Sequence, residues 1–201
     1  MNKKYRWPII IGLLIVALLA FNFLNFHAAR SSTNSDFSLG TGHTGETLPP
    51  NMANGFTLSY QVTGSARLNE PLQQALQAEL SALPNVIDAE PIPAGDSTAQ
   101  VNPLVRVEVS QTDYLWTPFY ARSTVTAVVF FASDGEISWL PGEALVFETS
   151  PAIKAEGEFR LADSSWGLIA KPAYAHHLSQ ELAKSIAAGL QSDAFTLSAS
   201  Q

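Results

Sequence analysis

The chain has 201 residues with 11 basic, 18 acidic and no cysteine side chains. The missing cysteine excludes disulfides, thiolate metal sites and a Cys nucleophile. Residues 1–30 hold four basic and no acidic residues, leaving seven basic and eighteen acidic ones beyond, a charge of −11 that repels phosphate backbones and argues against nucleic acid as a partner.

The first segment is Ile9 to Phe26, eighteen residues without a charge and with only Asn22 and Asn25 strongly polar. A helix of that length matches a hydrocarbon core of roughly 30 Å, so residues 9–27 read as a transmembrane signal anchor. Lys3, Lys4 and Arg6 precede it and only Arg30 follows closely. The positive-inside rule then gives a single pass through the inner membrane, with residues 1–8 as a cytoplasmic tip and the rest periplasmic or extracellular. Retention is favoured over cleavage after Ala28 or Ala29, because Phe26 or His27 stands where a small residue is needed. Residues 28–55 are rich in Ser, Thr, Gly, Asn and Pro and read as a flexible tether.

A folded domain is expected over residues 56–191, with 192–201 as a fraying tail. Phe56, Leu58, Tyr60 and Val62 alternate as one face of a strand. Asn69 offers an N-cap oxygen to a helix carrying Leu72, Leu76, Leu80 and Leu83, which Pro84-Asn85 stops. Short strand character follows over Val86 to Glu90, then a loop, then an alternating strand from Leu104 to Ser110. Phe119 to Ser133 is the longest β segment, and Asp134-Gly135 after it signals a hairpin returning through Glu136 to Leu140. Strands are also expected over Ala144 to Thr149 and Ile153 to Leu161, with Ala162 to Gly167 as a turn. In the last helix Tyr174, Leu178, Leu182, Ile186 and Leu190 form an i, i+4 stripe. The fold class expected is α+β: a mostly antiparallel sheet packed against two amphipathic helices, preceded by one transmembrane helix.

Candidate chemistry is sparse. His27 and His43 lie at the membrane edge and in the tether, while the adjacent His176 and His177 diverge by about 100° on a helix and cannot share one metal as an i, i+4 pair does. Glu181 stands four residues after His177 and is placed to pair with it. Ser164 and Ser165 lack a nucleophile-elbow context, and Asp163 reads as a turn residue. No catalytic, metal or cofactor residues are assigned, and an enzyme is not expected. Tyr114, Trp116, Phe119 and Tyr120 crowd around Thr117-Pro118 and are either lids on the core or contacts for a partner.

The order of tether, strand, Leu-rich helix, antiparallel strands with an Asp-Gly hairpin, and a closing helix His176-His-Leu-Ser-Gln-Glu-Leu-Ala-Lys-Ser-Ile-Ala-Ala-Gly-Leu190 resembles small bacterial envelope accessory domains. Two such families are the lipopolysaccharide-assembly lipoprotein and the auxiliary lipoproteins of ABC-type lipid transport systems, here without their lipidated cysteine. The resemblance implies a noncatalytic accessory or docking subunit of an envelope complex, with a protein partner there and the membrane held through residues 9–27. The alternative is an extracytoplasmic protein enclosing a lipid or small molecule between sheet and helices.

Overall fold

The computed structural model describes residues 6–21, 25–41, 52, 55–93, 102–135 and 153–191. Helix α1 (Arg6–Phe21) leads into strands β1 (Asn25–Thr41) and β2 (Phe56–Gly64). Helix α2 (Asn69–Ser81), β3 (Val86–Pro91), β4 (Leu104–Trp116), β5 (Tyr120–Ala132), β6 (Ile153–Ile169) and α3 (Lys171–Gly189) complete the order. The six strands form one sheet in the order β1-β6-β5-β4-β2-β3.

The sheet is mixed, and this corrects the mostly antiparallel expectation. β1 with β6, β6 with β5 and β5 with β4 are antiparallel, while β2 runs parallel to both β4 and β3. The cause is connectivity: α2 lies between β2 and β3, and a helical crossover returns the chain in the direction in which it left. Alternation of side chains reveals a half-buried strand but not the direction of its neighbour.

No helix among the described residues is long and apolar enough to cross a membrane, which overturns the transmembrane anchor and its single-pass inner-membrane placement. Helix α1 has 16 residues, roughly 24 Å of rise against a hydrocarbon core of roughly 30 Å. The last part of the expected span is not helical, because Asn25, Phe26 and His27 are the first residues of β1 and pair with Ile169, Leu168 and Gly167. Residues 28–41, expected as tether, continue that strand, so the folded unit takes in chain well before residue 56. A polar segment can do this at a sheet edge, where its backbone groups bond to a neighbour and its side chains need little burial.

The core lies between the sheet and the α2/α3 layer. Odd-numbered residues of β5, β6 and the part of β4 before its bulge face the helices, among them Val107, Val125, Val129, Phe131, Phe159 and Leu161, all buried. Helix α2 contributes Leu72, Leu76 and Leu80, and the α3 stripe of Tyr174, Leu178, Leu182, Ile186 and Leu190 packs inward as its spacing predicts. Asn69 is not the cap of α2: Leu68 holds that position, and the Asn69 Oδ1 is buried with no partner among the described residues.

Strand β6 runs on to Ile169 through the segment expected as a turn, because β1 pairs with it as far as that residue, while on its other side β5 pairs as far as Trp166 and the Phe119 and Pro118 carbonyls accept from Gly167 and Ile169 N–H. The hairpin return over 136–140 and the strand over 144–149 lie outside the described residues, as does the tail 192–201. Gly167 carries a φ of +119°, and a Cβ there would lie 2.4 Å from the Phe26 carbonyl oxygen. Gly167→Ala is therefore expected to destabilise the fold by about 1–3 kcal/mol through loss of the first β1–β6 pairs. Thermal unfolding measures it, and an unchanged midpoint contradicts the close approach of Phe26.

Candidate functional site

Two groups of residues stand out where β1, β6 and α3 meet: a polar cluster under the helix and an aromatic surface on the opposite face of the sheet. The polar cluster centres on Asp163, whose carboxylate is fully buried. Ser31 Oγ donates to Asp163 Oδ1 at 2.7 Å, Ser165 Oγ to Oδ2 at 3.0 Å, and His177 Nε2 to Oδ1 at 3.0 Å. One carboxylate thus ties β1, β6 and α3 together. The His27 ring from β1 stands edge-on to His177 with centroids 5.2 Å apart.

Burial on its own would raise the Asp163 pKa, but the hydrogen bonds from His177, Ser31 and Ser165 and the field of His177 overcome it and hold the carboxyl below its usual range. His27 is held below the usual imidazole value first by burial and then by His177, against an opposing pull from Asp163. The Tyr174 hydroxyl is buried without a partner in hydrogen-bonding geometry among the described residues, and burial with the nearby Asp163 charge pushes its pKa far up.

A Ser, a His and an Asp in contact have the composition of a hydrolytic triad, yet the geometry is different. A relay needs one imidazole nitrogen on the Ser and the other on the Asp. Here the same His177 Nε2 meets Asp163 at 3.0 Å and Ser31 at 3.3 Å, and Ser31 already gives its proton to the carboxylate. The cluster acts as a clasp. Among the described residues no group of three or more His, Asp or Glu can hold a metal ion. Glu181 does not pair with His177 and instead meets Lys184 at 3.2 Å. Sequence reasoning missed the clasp, although Asp163 and Ser165 continue the odd-numbered inward set of Ile153, Ala155, Phe159 and Leu161.

The four aromatics proposed as partner contacts divide. Tyr114 is half-buried, its ring 6.3 Å from Tyr174 and covered by the Arg67 guanidinium at 4.7 Å. Trp116 is also half-buried, donates its indole N–H to the Ile169 carbonyl at 3.2 Å and meets Phe21 of α1 edge-on. Phe119 and Tyr120 face the other way. A bulge between Thr112 and Leu115, with Asp113 at a φ of +50°, separates these two sets. Phe119 is 67% exposed, and its carbonyl accepts from Gly167 N–H, while Tyr120 lies against Trp166 with centroids 4.3 Å apart.

Register assembles the outer surface. Phe26 opposes Leu168, Ala28 opposes Trp166, Trp166 opposes Tyr120, and Leu115 opposes Arg122. Phe26 (75%), Phe119 (67%), Trp166 (61%) and Leu115 (44%) are exposed there. Beyond Trp166 the face becomes polar, with Arg30 and Arg122 on either side of Ser164. Two open hollows of about 500 Å³ lie on this outer face, one lined by Arg30, Tyr120 and Arg122, the other by Asn34, Asp36 and Glu158.

No family model and no curated protein matches the chain. Among solved structures the chain is similar to the PelC dodecamer from Paraburkholderia phytofirmans, with a TM-score of 0.47 and 9% identity over 81% of this chain and 98% of that one. A likeness that loose transfers neither fold detail nor function.

The clasp predicts two outcomes. Asp163→Ala leaves Ser31, Ser165 and His177 without their buried acceptor, and the loss of stability is expected at about 3 kcal/mol by denaturant unfolding. Its pH dependence has one sign, since the unfolded chain binds protons that the native state refuses. The unfolding midpoint should fall as pH drops below the usual His27 value of 6.5, and again below the usual Asp163 value of 3.8. His27→Gln removes the upper step only; a profile flat from pH 7 to 5 in the native chain contradicts the burial of that ring.

Proposed function

We propose that the protein is a noncatalytic docking subunit of a bacterial envelope assembly that seats a protein partner on the aromatic end of its sheet. The observation that supports this reading is the run of exposed Phe26, Trp166 and Phe119 on neighbouring elements of one face. Soluble proteins seldom leave large contiguous apolar patches open, and Trp, Tyr and Phe are the residue types that anchor interfaces. The loop behind the patch is rigid: Thr117 Oγ1 accepts from Tyr120 N–H at 3.0 Å, and Ile169 N–H donates to the Pro118 carbonyl at 3.1 Å. A preorganised anchor loses little side-chain freedom on binding.

The basic and hydroxyl groups beside the patch supply a polar rim, while Tyr114 and Trp116 hold the platform from beneath. The alternative of a ligand enclosed between sheet and helices draws no support from the two hollows, which open on the outer face.

A photo-crosslinking amino acid at position 119, in the full chain in intact cells, should give one discrete protein adduct. Trp166→Ser should lower that adduct about tenfold while shifting unfolding stability by less than about 0.5 kcal/mol. If the purified protein instead floats with phosphatidylglycerol vesicles and position 119 gives no protein adduct, the patch meets lipid and the reading fails.

A further inference from the structure

The two edges of the sheet are built differently. The β3 edge is six residues long and carries Asp88, Glu90 and Pro91, the usual devices that stop one sheet from pairing with another. The β1 edge is seventeen residues long, contains no Pro and no Lys, and pairs with β6 without a bulge. Its only charged residues are Arg30 and Asp36, and they stand three places to either side of Thr33, the midpoint of Asn25–Thr41.

We propose that β1 is the interface for a second copy of this chain, pairing antiparallel with itself about a twofold axis through Thr33. In that register residue i meets residue 66 − i, and the whole strand is used. Arg30 of each copy meets Asp36 of the other, twice by symmetry. Opposed residues share a face, as antiparallel pairing requires, so both ion pairs form on the outer face. Registers displaced by two residues leave Arg30 opposite Asn34 or Ser38 and form no charge pair.

The charges within one copy favour this arrangement. Arg30 lies across Ser164 from Arg122, and Asp36 lies opposite Glu158. Neither Arg30 nor Asp36 has an ion-pair partner among the described residues, and Arg160, opposite Asn34, makes none with Asp36. Each edge is therefore basic towards one end and acidic towards the other, with like charges adjacent. An antiparallel copy brings unlike charges together at both ends.

The chain has no cysteine of its own, so single cysteines report the register. In the full chain, kept in a mild nonionic detergent that covers α1, Thr33→Cys should oxidise to a disulfide-linked dimer. Ala28→Cys should not, because its two copies lie about 33 Å apart at 3.3 Å per residue. By sedimentation, Arg30→Asp or Asp36→Arg alone should weaken self-association about tenfold or more, since each places like charges across both contacts. The double variant, or a mixture of the two single ones, should restore it. All are exposed positions, and thermal unfolding verifies that each variant folds. Cross-linking of Ala28→Cys as fast as Thr33→Cys, or a double variant no tighter than the single ones, overturns the proposal.

Discussion

Everything in this fold depends on the pairing of β1 with β6. Seventeen consecutive residue pairs, from Asn25 with Ile169 to Thr41 with Ile153, commit a polar segment to the sheet. The pairing closes one side of β6, so β6 becomes an internal strand and its odd-numbered residues are covered by α3. It also limits the apolar run that begins at Ile9: with Asn25 already extended, the described helix is Arg6–Phe21. The end of that helix then meets the sheet at Phe21 and Trp116.

The two faces of the sheet divide the work. Under α3, Asp163 gathers donors from three elements, and the cost of burying a carboxylate is offset by three hydrogen bonds to it. Such a clasp fixes the position of β1 more sharply than apolar contact, since a shift of one residue would turn Ser31 to the other face. On the outside, the same register sets Phe26, Trp166 and Tyr120 side by side. The exposed aromatic surface and the lock that holds it are consequences of one strand pairing.

Much of this was legible in the residues. The Leu72, Leu76, Leu80 stripe and the Tyr174 to Leu190 stripe gave both packed helices, because helical period and burial coincide there. The alternation in β4, β5 and the first half of β6 was equally clear. β1 was not legible, because its sequence, Asn-Phe-His-Ala-Ala-Arg-Ser-Ser-Thr-Asn-Ser-Asp, carries no strand pattern; it extends because β6 offers a template of backbone groups. The parallel direction of β2 was hidden for a related reason, being a property of the connection through α2. Phe119 and Tyr120 could be named as surface candidates from their turn, but the reversal that turns Tyr114 and Trp116 inward comes from the bulge at Asp113. Asp163 was read as a turn residue because Ser-Ser-Trp-Gly follows it, whereas flanking strands on both sides keep that segment extended.

The account rests on residues 25–41 being strand, and amide hydrogen exchange tests that most directly. At least every second amide between Phe26 and Leu39 should exchange only with global unfolding, on the same timescale as the amides of β5. Exchange throughout that stretch at the rate of an unstructured chain would remove β1 from the sheet, and the aromatic platform and the edge would go with it.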